Sequence, residues 1–562
     1  MKKRAVIVGL CVCLCAGLIC PAWAAQKPDG EKKPRPVPHP LTHAWDAPGP
    51  SRTELRPGSP AEAGLSEKAL DQIDQVIQSA IERKLVPGAV VLVARRGVIA
   101  WEQAYGYAAK YADDGYGELR SPVRMRTDTL FDLASVSKLF TAVAVMQLYD
   151  QGRIRLDEPV VTYLPDFVGK GKEKVTVRQL LTHTSGFAAY VPLYKQGGSR
   201  EALLQTVLRL PLAEEPGRAH VYSDVNMLVL GVLVERLSGK RLDDFIRESI
   251  AQPLGLAETM YNPPPPLRKR SAATEYQAAT DRGLIWGQVQ DENAWALGGV
   301  AGHAGLFGTA RDLAVFAQMM LNGGTYGGKR ILSEKAAAWM AQNQLSALSD
   351  EKHGLGWQLD RGTYMDALGD SRSMGHTGFT GTSLLVSHSQ QAIVIFLTNR
   401  IHPVRDTASL TPLRNAVARQ ASLAISVDIP WQDGAWFAGT GDDRQATLTA
   451  EASMAAGGTL TYDTWYRIEN EYDYGYVEVS PDKIRWKKLG DAATGESDWV
   501  RVSWRLPEGV KYIRFRYETD GTINGRGWYV HHPVLLDRTG RKIGTDWLAE
   551  GWSREGGREE KP

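Results

Sequence analysis

Ser135 and Lys138 lie three residues apart at the start of a predicted helix, in residues 131–138 (FDLASVSK). At this spacing the two side chains share one helix face, so the hydroxyl and the ammonium come within reach of each other. A serine hydroxyl becomes a nucleophile only when a base removes its proton, and a lysine can be that base when burial lowers its pKa. The helix N-terminus also favours the oxyanion that forms during acyl transfer. An isolated S-x-x-K is more often an N-cap serine beside a solvated lysine, so the pair alone predicts no enzyme.

Two more motifs follow in chain order. Tyr222 is followed two residues later by Asp224, in a YSD sequence that directly precedes an apolar helical stretch. His376, Thr377 and Gly378 form an HTG sequence at the head of an apolar strand. The chain thus carries a nucleophile with a lysine, then a tyrosine with a polar partner, then a basic or polar residue with Thr-Gly on a strand.

This order of motifs resembles the serine beta-lactamase and penicillin-binding protein superfamily. The most similar branch contains class C beta-lactamases, esterases and D-peptidases. Secondary hallmarks of that branch occur at residues 176–186 (TVRQLLTHTSG), 302–306 (GHAGL) and 354–357 (GLGW). The resemblance covers about residues 60 to 425. It implies a serine hydrolase that works through an acyl-enzyme.

The resemblance also implies a role for each motif residue. Ser135 is the acylated nucleophile, and Lys138 is the base for acylation, sharing the proton with Tyr222. The Tyr222 phenol then protonates the leaving group and later activates the water that removes the acyl group. The backbone N–H groups of Ser135 and Phe379 form the oxyanion hole.

Two positions depart from the family pattern. Asp224 stands where class C beta-lactamases have Asn, and His376 stands where beta-lactamases and D,D-carboxypeptidases usually have Lys. A lysine holds the terminal carboxylate of a substrate with a permanent charge, whereas a neutral imidazole holds it weakly. Together with Thr377 and Gly378, these two are the substrate-binding residues that the resemblance implies. We therefore expect no dependence on a free C-terminal D-Ala carboxylate and poor hydrolysis of beta-lactams.

Three segments look most like exported peptidoglycan-recycling members of the superfamily, including N-acetylmuramoyl-L-alanine amidases of this fold: residues 291–294 (DENA), 300–306 (VAGHAGL) and 376–382 (HTGFTGT). The predicted function is an exported serine hydrolase, of amidase or D-peptidase type, that cleaves amide bonds in peptidoglycan-derived peptides or muropeptides. Two alternatives stay open, a broad-specificity carboxylesterase and a non-catalytic protein that binds the cell wall. A binding protein has no need of a complete Ser-Lys-Tyr set, which disfavours the second alternative.

Other residues give weaker grounds for metal or nucleic-acid binding. His183 and His303 each stand among small residues in predicted turns, where structural hydrogen bonding is the more common role of a histidine. His531 and His532 are adjacent in a predicted strand and should point to opposite faces, which disfavours a shared metal ion. The basic run at residues 268–270 predicts a solvated loop, and 66 basic against 64 acidic residues argue against a nucleic-acid partner. We predict no metal and no cofactor.

The predicted secondary structure is that of an α+β domain. Helical spacing of apolar residues follows Ser66 and recurs at residues 135–148 and 226–237, whereas apolar strands occupy residues 88–94, 381–386 and 392–398. Antiparallel strands thus come from both sequence ends, with helices between them. The resemblance implies a beta-lactamase/transpeptidase-like domain, with an antiparallel sheet flanked by helices and an all-helical subdomain.

From residue 431 onward short alternating strands replace helical periodicity, which predicts an all-β sandwich. Residues 464–480 (TWYRIENEYDYGYVEVS) and 527–530 (GWYV) resemble the jelly-roll accessory domains of immune-inhibitor-A-type secreted peptidases. Five aromatic residues there are candidates for glycan contact if they share an exposed face, although each is more often a core residue: Trp465, Tyr472, Tyr474, Trp486 and Trp499.

The N-terminus predicts export. Three basic residues (KKR), an apolar run and a small-x-small end (AWA) make residues 1–24 a secretory signal peptide. The apolar run of about 16 residues is short for a membrane anchor, which needs about 20. Large residues before Cys20 disfavour a lipid anchor, but retention of the segment as an anchor stays open. After cleavage we expect a periplasmic, secreted or wall-associated protein without a stable membrane span.

Length and cysteine usage complete the prediction. A chain of 562 residues, 43% hydrophobic, is too long for one core and too apolar to be disordered. Its four cysteines all lie in the first twenty residues, so the exported protein has no disulfide and its nucleophile must be an oxygen. The predicted division is a signal peptide (1–24), a Pro-rich extended linker (25–60), a hydrolase domain (61–425), a β-sandwich (431–550) and a charged, disordered tail (551–562).

Overall fold

The predicted hydrolase domain has one main sheet, which contains strands from the beginning and from the end of the domain's sequence. The computed structural model describes residues 44–345, 348–349, 351–454 and 456–556, so the predicted signal peptide, most of the predicted linker and the last six residues of the predicted tail lie outside the described residues. The strands before residue 400 are, in chain order, β1 Arg56–Pro57, β2 Gly88–Arg95, β3 Val98–Tyr111, β4 Glu118–Arg124, β5 Phe131–Asp132, β6 Met260–Tyr261, β7 Ala273–Gln277, β8 Gly283–Trp286, β9 Leu306–Gly308, β10 Thr325–Tyr326, β11 Lys329–Arg330, β12 Gln358–Leu359, β13 Ser373–Thr377, β14 Ser383–Ser387 and β15 Ala392–Thr398.

The main sheet has the order β1-β3-β2-β15-β14-β13-β12, and β4 pairs with β3 beside this path. Its pairs are antiparallel apart from β1 with β3. The first and the last predicted hairpins are neighbours through β2 and β15, as expected for an α+β domain closed by both sequence ends. The HTG motif therefore lies on β13 of this same sheet.

Helices cover both faces of the sheet, and the fold is α+β as predicted. The α-helices are, in chain order, α1 Glu67–Leu70, α2 Gln72–Glu82, α3 Ser137–Asp150, α4 Val177–Leu181, α5 Arg200–Arg209, α6 Asp224–Ser238, α7 Leu242–Ile246, α8 Gln252–Leu254, α9 Glu292–Ala296, α10 Ala310–Leu321, α11 Glu334–Met340, α12 Gly362–Met365 and α13 Thr411–Leu423. Strand β2 is buried along its whole length. Because side chains alternate along a strand, Val90 and Leu92 enter the core around α3, and Val91 and Val93 enter the core that includes α2 and α13.

The C-terminal part is all-β, as predicted. Its strands are β16 Ala435–Phe437, β17 Gln445–Met454, β18 Gly458–Arg467, β19 Tyr474–Ser480, β20 Lys487–Lys488, β21 Glu496–Leu506, β22 Val510–Glu518, β23 Gly527–Asp537, β24 Lys542–Ile543, β25 Trp547–Glu550 and β26 Ser553–Glu555. One sheet has the order β21-β18-β23-β16-β26, with β24 on β23, and the other has the order β20-β19-β22-β17-β25. Aromatic side chains pack between the two sheets, where the Phe515 ring lies 4.9 Å from that of Tyr462 and 5.9 Å from that of Trp528.

The sandwich shares a hydrophobic core with the hydrolase part. Phe437, Trp465 and Tyr529 of the sandwich pack in one cluster with Leu368 and Leu413. All described residues belong to one compact unit, His39–Pro562. Burial of large apolar side chains across the boundary holds the two parts together without any disulfide.

The predicted glycan-binding aromatic residues do not share an exposed face. Trp465 is 3% exposed because it fills the core between the two parts. Trp499 is half-buried, and its indole N–H donates to the Asp428 carbonyl. Trp486 is half-buried under Arg514, while Tyr472 is 63% exposed. The condition for glycan contact, one shared exposed face, is therefore not met, and Trp465 has the core role that was the more common expectation.

His531 and His532 also differ from expectation. The register of β18 against β23 shifts between Thr461 and Asp463, and His532 has a φ of 43°. This irregularity breaks the alternation of faces, so Asp433 and both histidines place ligand atoms within 4.8 Å of one another. The prediction that the histidines point apart is wrong. His531 stacks on Trp431 at 3.7 Å, and its Nε2 lies 3.1 Å from Asp433 Oδ1.

Two terminal segments are more ordered than their composition predicts. In the described part of the predicted linker, Trp45 is buried, and Asp46 forms an ion pair with Arg95 at 2.6 Å. Near the end of the chain, Ser553–Glu555 pairs with β16, although its charges predict a disordered tail. The first segment is ordered because Asp46 meets a buried arginine, and the second because it pairs with the edge of a sheet. Local composition does not reveal either partner.

Among the described residues, no helix combines the length and the apolar character needed to cross a membrane.

Arg467 tests how much the interface between the two parts contributes to stability. This buried arginine of β18 donates from Nε to the Ala367 carbonyl at 2.9 Å and from Nη2 to the Gly369 carbonyl. Arg467→Ala leaves both carbonyl groups without these donors, and we expect it to lower the free energy of unfolding by about 3 kcal/mol in guanidinium titrations. Arg505→Ala, at an exposed position of the same sheet, should change it by less than about 0.5 kcal/mol. Equal effects of the two substitutions would contradict this view of the interface.

Candidate active site

A tight turn presents Ser135 at the start of α3. Strand β5 ends at Asp132, and Ala134 then adopts the left-handed region with a φ of 47°. Asp132 holds this strained turn, because its Oδ1 accepts from the Ala134 N–H at 2.9 Å and its Oδ2 accepts from the Gln290 N–H at 2.6 Å. Burial raises the pKa of Asp132 to about 6. The turn leaves Ser135 partly exposed, although its neighbours are buried.

The Lys138 ammonium is buried and has three acceptors. Its Nζ lies 2.8 Å from Ser135 Oγ, 2.8 Å from Asp224 Oδ1 and 3.0 Å from the His303 carbonyl oxygen. An ammonium has three donors and no acceptor, so these contacts, together with the hydrogen bond to Tyr222, leave none of its N–H groups without a partner. The structure thus brings the predicted pair Ser135 and Lys138 into contact, and it adds two partners that the motif did not assign to Lys138.

The protonation of Lys138 differs from the prediction. Burial by itself lowers the pKa of Lys138, but the neighbouring Asp224 and Tyr222 outweigh it and raise that pKa above its ordinary value. Lys138 is therefore an ammonium at neutral pH. The predicted lowering of the Lys138 pKa by burial is thus offset by Asp224, which stands where the family has a neutral Asn, and the role of Lys138 as the base for acylation stays a prediction.

Tyr222 lies beside this pair. Burial raises the pKa of the Tyr222 phenol, the charge of Lys138 counteracts the rise, and hydrogen bonds to Ser135 and Lys138 act in the same direction as that charge. Its ring lies 5.2 Å from Lys138 Nζ and 4.7 Å from the His183 ring. The three predicted catalytic side chains, Ser135, Lys138 and Tyr222, therefore form one group.

Two histidines shape the site through hydrogen bonds. His183 Nδ1 accepts from the Ser223 N–H at 3.1 Å, which fixes the turn that carries Tyr222. His303 Nε2 lies 2.8 Å from Asp291 Oδ1, and its carbonyl faces Lys138. Both contacts agree with the structural roles predicted for these histidines.

The strand motif lies beside Tyr222, whose ring is 5.9 Å from the His376 ring. His376 is 1% exposed, its Nδ1 lies 2.7 Å from the Thr377 carbonyl, and burial together with the Lys138 charge lowers its pKa to about 3. This imidazole is neutral and does not face the solvent, unlike the substrate-binding side chain that the motif implies. A Cβ at Gly378 would lie 2.5 Å from the Leu133 carbonyl oxygen, so only glycine allows this close approach. Phe379 follows, 47% exposed.

The comparisons agree with this geometry. The family model described as Beta-lactamase matches residues 73–419. The chain belongs to the beta-lactamase family. A Salmonella schwarzengrund protein named "Putative D-alanyl-D-alanine carboxypeptidase" is 35% identical over 383 residues, which cover 62% of this chain and 86% of that protein.

Solved structures of the beta-lactamase family share the fold. A class C beta-lactamase has a TM-score of 0.52 at 20% identity, covering 64% of this chain and 98% of its own. EstCE1, a hydrolase with promiscuous acyltransferase activity, has a TM-score of 0.50 at 24% identity, covering 62% and 99%. The protein is thus a serine hydrolase of the beta-lactamase and penicillin-binding protein type. The family model ends before the sandwich, whose resemblance to peptidase accessory domains stays a prediction.

This beta-lactamase family member also has a cavity that the motifs did not predict. It measures about 300 Å³ and lies beside Tyr222 and Thr377. Its other lining residues are His220, Glu351, His353, Gln358, Arg361, Thr363, Tyr364, Thr411 and Arg414. Most of them come from residues 351–364 and from α13; the GLGW hallmark at residues 354–357 lies in the first segment but marks none of these lining residues. Only His220, two residues before Tyr222, has a sequence position that points to the site.

The charge of Asp224 sets the pH at which the site loses a proton, and a pH profile of acylation measures this effect. The charge of Asp224 raises the pKa of both Lys138 and Tyr222. In Asp224→Asn, the pair of Lys138 and Tyr222 should therefore lose its first proton at a lower pH. We expect the rising limb of the pH profile for acylation by p-nitrophenyl acetate to move down by about 1 to 2 pH units. Asp128→Asn, at a surface ion pair with Arg126, should leave the limb in place. An unchanged or upward-shifted limb in Asp224→Asn would refute the assignment.

Proposed function

We propose that this enzyme is an exported serine hydrolase that cleaves amide bonds in peptidoglycan-derived peptides or muropeptides. The observation that carries the proposal is the contact of Ser135 Oγ with Lys138 Nζ at 2.8 Å, beside Tyr222 and at the start of a helix. A hydroxyl in this setting forms an acyl-enzyme. The relative that is 35% identical is named a putative D-alanyl-D-alanine carboxypeptidase, which supports peptides that contain D-Ala as the substrate class.

The proposed chemistry starts from a resting state with a charged Lys138 and a neutral Tyr222. Lys138 and Tyr222 are hydrogen-bonded to each other and titrate as one coupled unit, and Asp224 Oδ1 lies 2.8 Å from Lys138 Nζ. Once the unit has lost one proton, it accepts the Ser135 proton as Oγ attacks the carbonyl carbon. Tyr222 then donates a proton to the leaving amine, and the same groups activate water for deacylation.

The backbone N–H groups of Ser135 and Phe379 are the proposed oxyanion donors. Thr380 Oγ1 donates to the Asp132 carbonyl at 2.7 Å, and Thr382 Oγ1 donates to the Leu133 carbonyl at 3.0 Å. These contacts hold the strand motif against the turn of the nucleophile. Preorganised donors of this kind stabilise the tetrahedral intermediate without reorganisation during the reaction.

The surroundings of the site support a substrate larger than a beta-lactam. Three aromatic side chains are each more than 40% exposed: Tyr190, Trp295 and Phe379. Burial raises the pKa of the Tyr190 phenol, and the charges of Asp291 and Asp224 add to that rise. Exposed aromatic rings pack against sugar rings and apolar peptide faces. Because His376 supplies no charge, a terminal carboxylate is not held from β13.

The cavity beside Tyr222 supports an anionic peptide. Arg361 and Arg414 line it, and the Nε of each is buried without a hydrogen-bond partner among the described residues. Arg361 pairs with Glu351 at 2.8 Å, while Arg414 Nη2 donates to the Gly378 carbonyl at 2.9 Å. Two arginines against one carboxylate leave a net positive charge, which suits peptidoglycan stem peptides with their carboxylates.

The N-terminal sequence supports export. Residues 1–24 have the three parts of a signal peptide, and all four cysteines precede residue 21. An exported hydrolase would meet its substrate in the periplasm or at the cell wall. Fractionation of cells that produce the full chain, with N-terminal sequencing of the product, tests this; a product that begins at Met1 in the cytoplasm would refute it.

Ser135→Ala tests the nucleophile. A fluorescent fluorophosphonate should label the enzyme, with the label mapped by mass spectrometry to the peptide that contains Ser135. The variant should lose the label and at least about 1,000-fold of its turnover. Its melting temperature should stay close to that of the wild type, and Ser121→Ala, at an exposed serine, should label normally. Retained turnover in Ser135→Ala would refute the assignment.

A substrate panel with Arg361→Gln tests the proposed substrate class. Muropeptides, D-Ala-terminated peptides and p-nitrophenyl esters should be compared by kcat/KM, and highest activity on the esters would instead favour an esterase. Loss of the Arg361 charge should raise KM for an anionic muropeptide about tenfold and change that for neutral p-nitrophenyl acetate less than twofold. Arg330→Gln, at an exposed arginine, is the matched control. An equal effect on both substrates would contradict a peptide-binding role of the cavity.

A further inference from the structure

Three carboxylates from two loops of the sandwich face one another at the end next to the hydrolase part. Glu469 and Asp473 lie between β18 and β19, and Asp520 follows β22. Each offers one oxygen, and these oxygens lie within 4.8 Å of one another. Acidic clusters are common on exposed surfaces without any bound ion. The burial of these side chains therefore decides whether the cluster is a candidate cation site.

Asp473 is fully buried, and one of its oxygens has no partner. Its Oδ1 accepts from the Asp520 N–H at 3.0 Å, whereas its Oδ2 has no hydrogen-bond partner among the described residues. Glu469 Oε2 is likewise buried without a partner in that part of the chain. Burial of unpaired carboxylate oxygens is costly unless a cation or a proton compensates them. The arrangement therefore calls for a positive charge.

Arg419 contacts the loop of Asp520 through the Thr522 carbonyl, but its ion pairs are with other carboxylates. Arg419 of α13 pairs with Asp366 at 3.1 Å and with Asp442 at 2.9 Å. Burial, followed by the charges of Asp520, Asp473 and Asp366, raises the pKa of Glu469 to about 7. Burial likewise raises the pKa of Asp473 to about 7; hydrogen bonds from the backbone of Asp520 and Glu469 oppose the rise, and the charges of Asp520 and Asp366 add to it.

We propose that Glu469, Asp473 and Asp520 bind one Ca²⁺ ion. Ca²⁺ takes oxygen ligands at about 2.3–2.6 Å, so two ligands of one ion lie up to about 5 Å apart, which accommodates the observed spacing. Carboxylates on two loops provide the flexible, all-oxygen geometry that Ca²⁺ accepts. Mg²⁺ requires a tighter octahedron and keeps several of its water molecules, so it fits this set less well.

The ion would also fix a sandwich loop against the hydrolase part. After Asp520 the loop continues to Ile523, whose side chain packs on Gly362, the first residue of α12. The same loop provides the Thr522 carbonyl, which accepts from Arg419 at 3.1 Å. Ca²⁺ at the base of this loop would therefore stabilise the contact of the sandwich with α12.

The experiment uses the full chain after treatment with EDTA and dialysis. We expect Ca²⁺ to bind with a stoichiometry of one in isothermal titration calorimetry, and to raise the melting temperature by about 5 °C at a hundredfold excess over Kd. Mg²⁺ at the same concentration should give a smaller shift. Absence of both calorimetric binding and a thermal shift at 10 mM Ca²⁺, roughly ten times the Kd of the weakest extracellular sites, would overturn the proposal.

Asp473→Asn separates this site from any other. The substitution removes one of the repelling charges, so without Ca²⁺ the variant should melt at or above the temperature of the wild type. With Ca²⁺ it should gain no more than about 1 °C and melt below the wild type. Glu471→Gln, an exposed residue of the same loop, and Asp433→Asn, in the His531 cluster, should keep the full Ca²⁺ shift. An unchanged Ca²⁺ shift in Asp473→Asn, or its loss in Asp433→Asn, would overturn the assignment.

Discussion

The buried ammonium of Lys138 is the constraint on which the catalytic site depends. A cation removed from water must meet acceptors in every donor direction, and here these come from three distant parts of the chain. Ser135 is in the turn just before α3, Asp224 begins α6, and the His303 carbonyl belongs to the loop before β9. The position of one charge thus fixes the nucleophile and the tyrosine turn relative to each other.

The sheet performs the second part of this positioning. Strand β13 is held in register by β14, and the close approach at Gly378 sets its end against the residues before Ser135. A side chain at this glycine would separate the strand from the turn of the nucleophile. The proposed oxyanion donors and the proposed nucleophile are therefore placed by backbone packing, whereas Lys138 and Tyr222 are placed by charge and burial.

The sequence was sufficient for those parts of the fold and site that local patterns encode. Periodicity predicted the α+β class and the all-β end, and the spacing of Ser135 and Lys138 predicted their contact. The protonation of Lys138 could not be predicted, since it depends on how near Asp224 comes in three dimensions. The order of Ser553–Glu555 was also missed, because a charged edge strand forms only where a neighbouring strand is available. Likewise, no local pattern marks Arg361 as a residue of the cavity.

Helix α12 connects the sandwich with the catalytic cleft. Arg361, just before this helix, and Tyr364 within it line the cavity beside Tyr222. The carbonyl groups of Ala367 and Gly369, just after it, accept from Arg467 of the sandwich. A segment this short has little stability of its own, so its position is set by what packs on either side. The sandwich therefore forms the outer support of the cavity wall, to which Arg361 belongs.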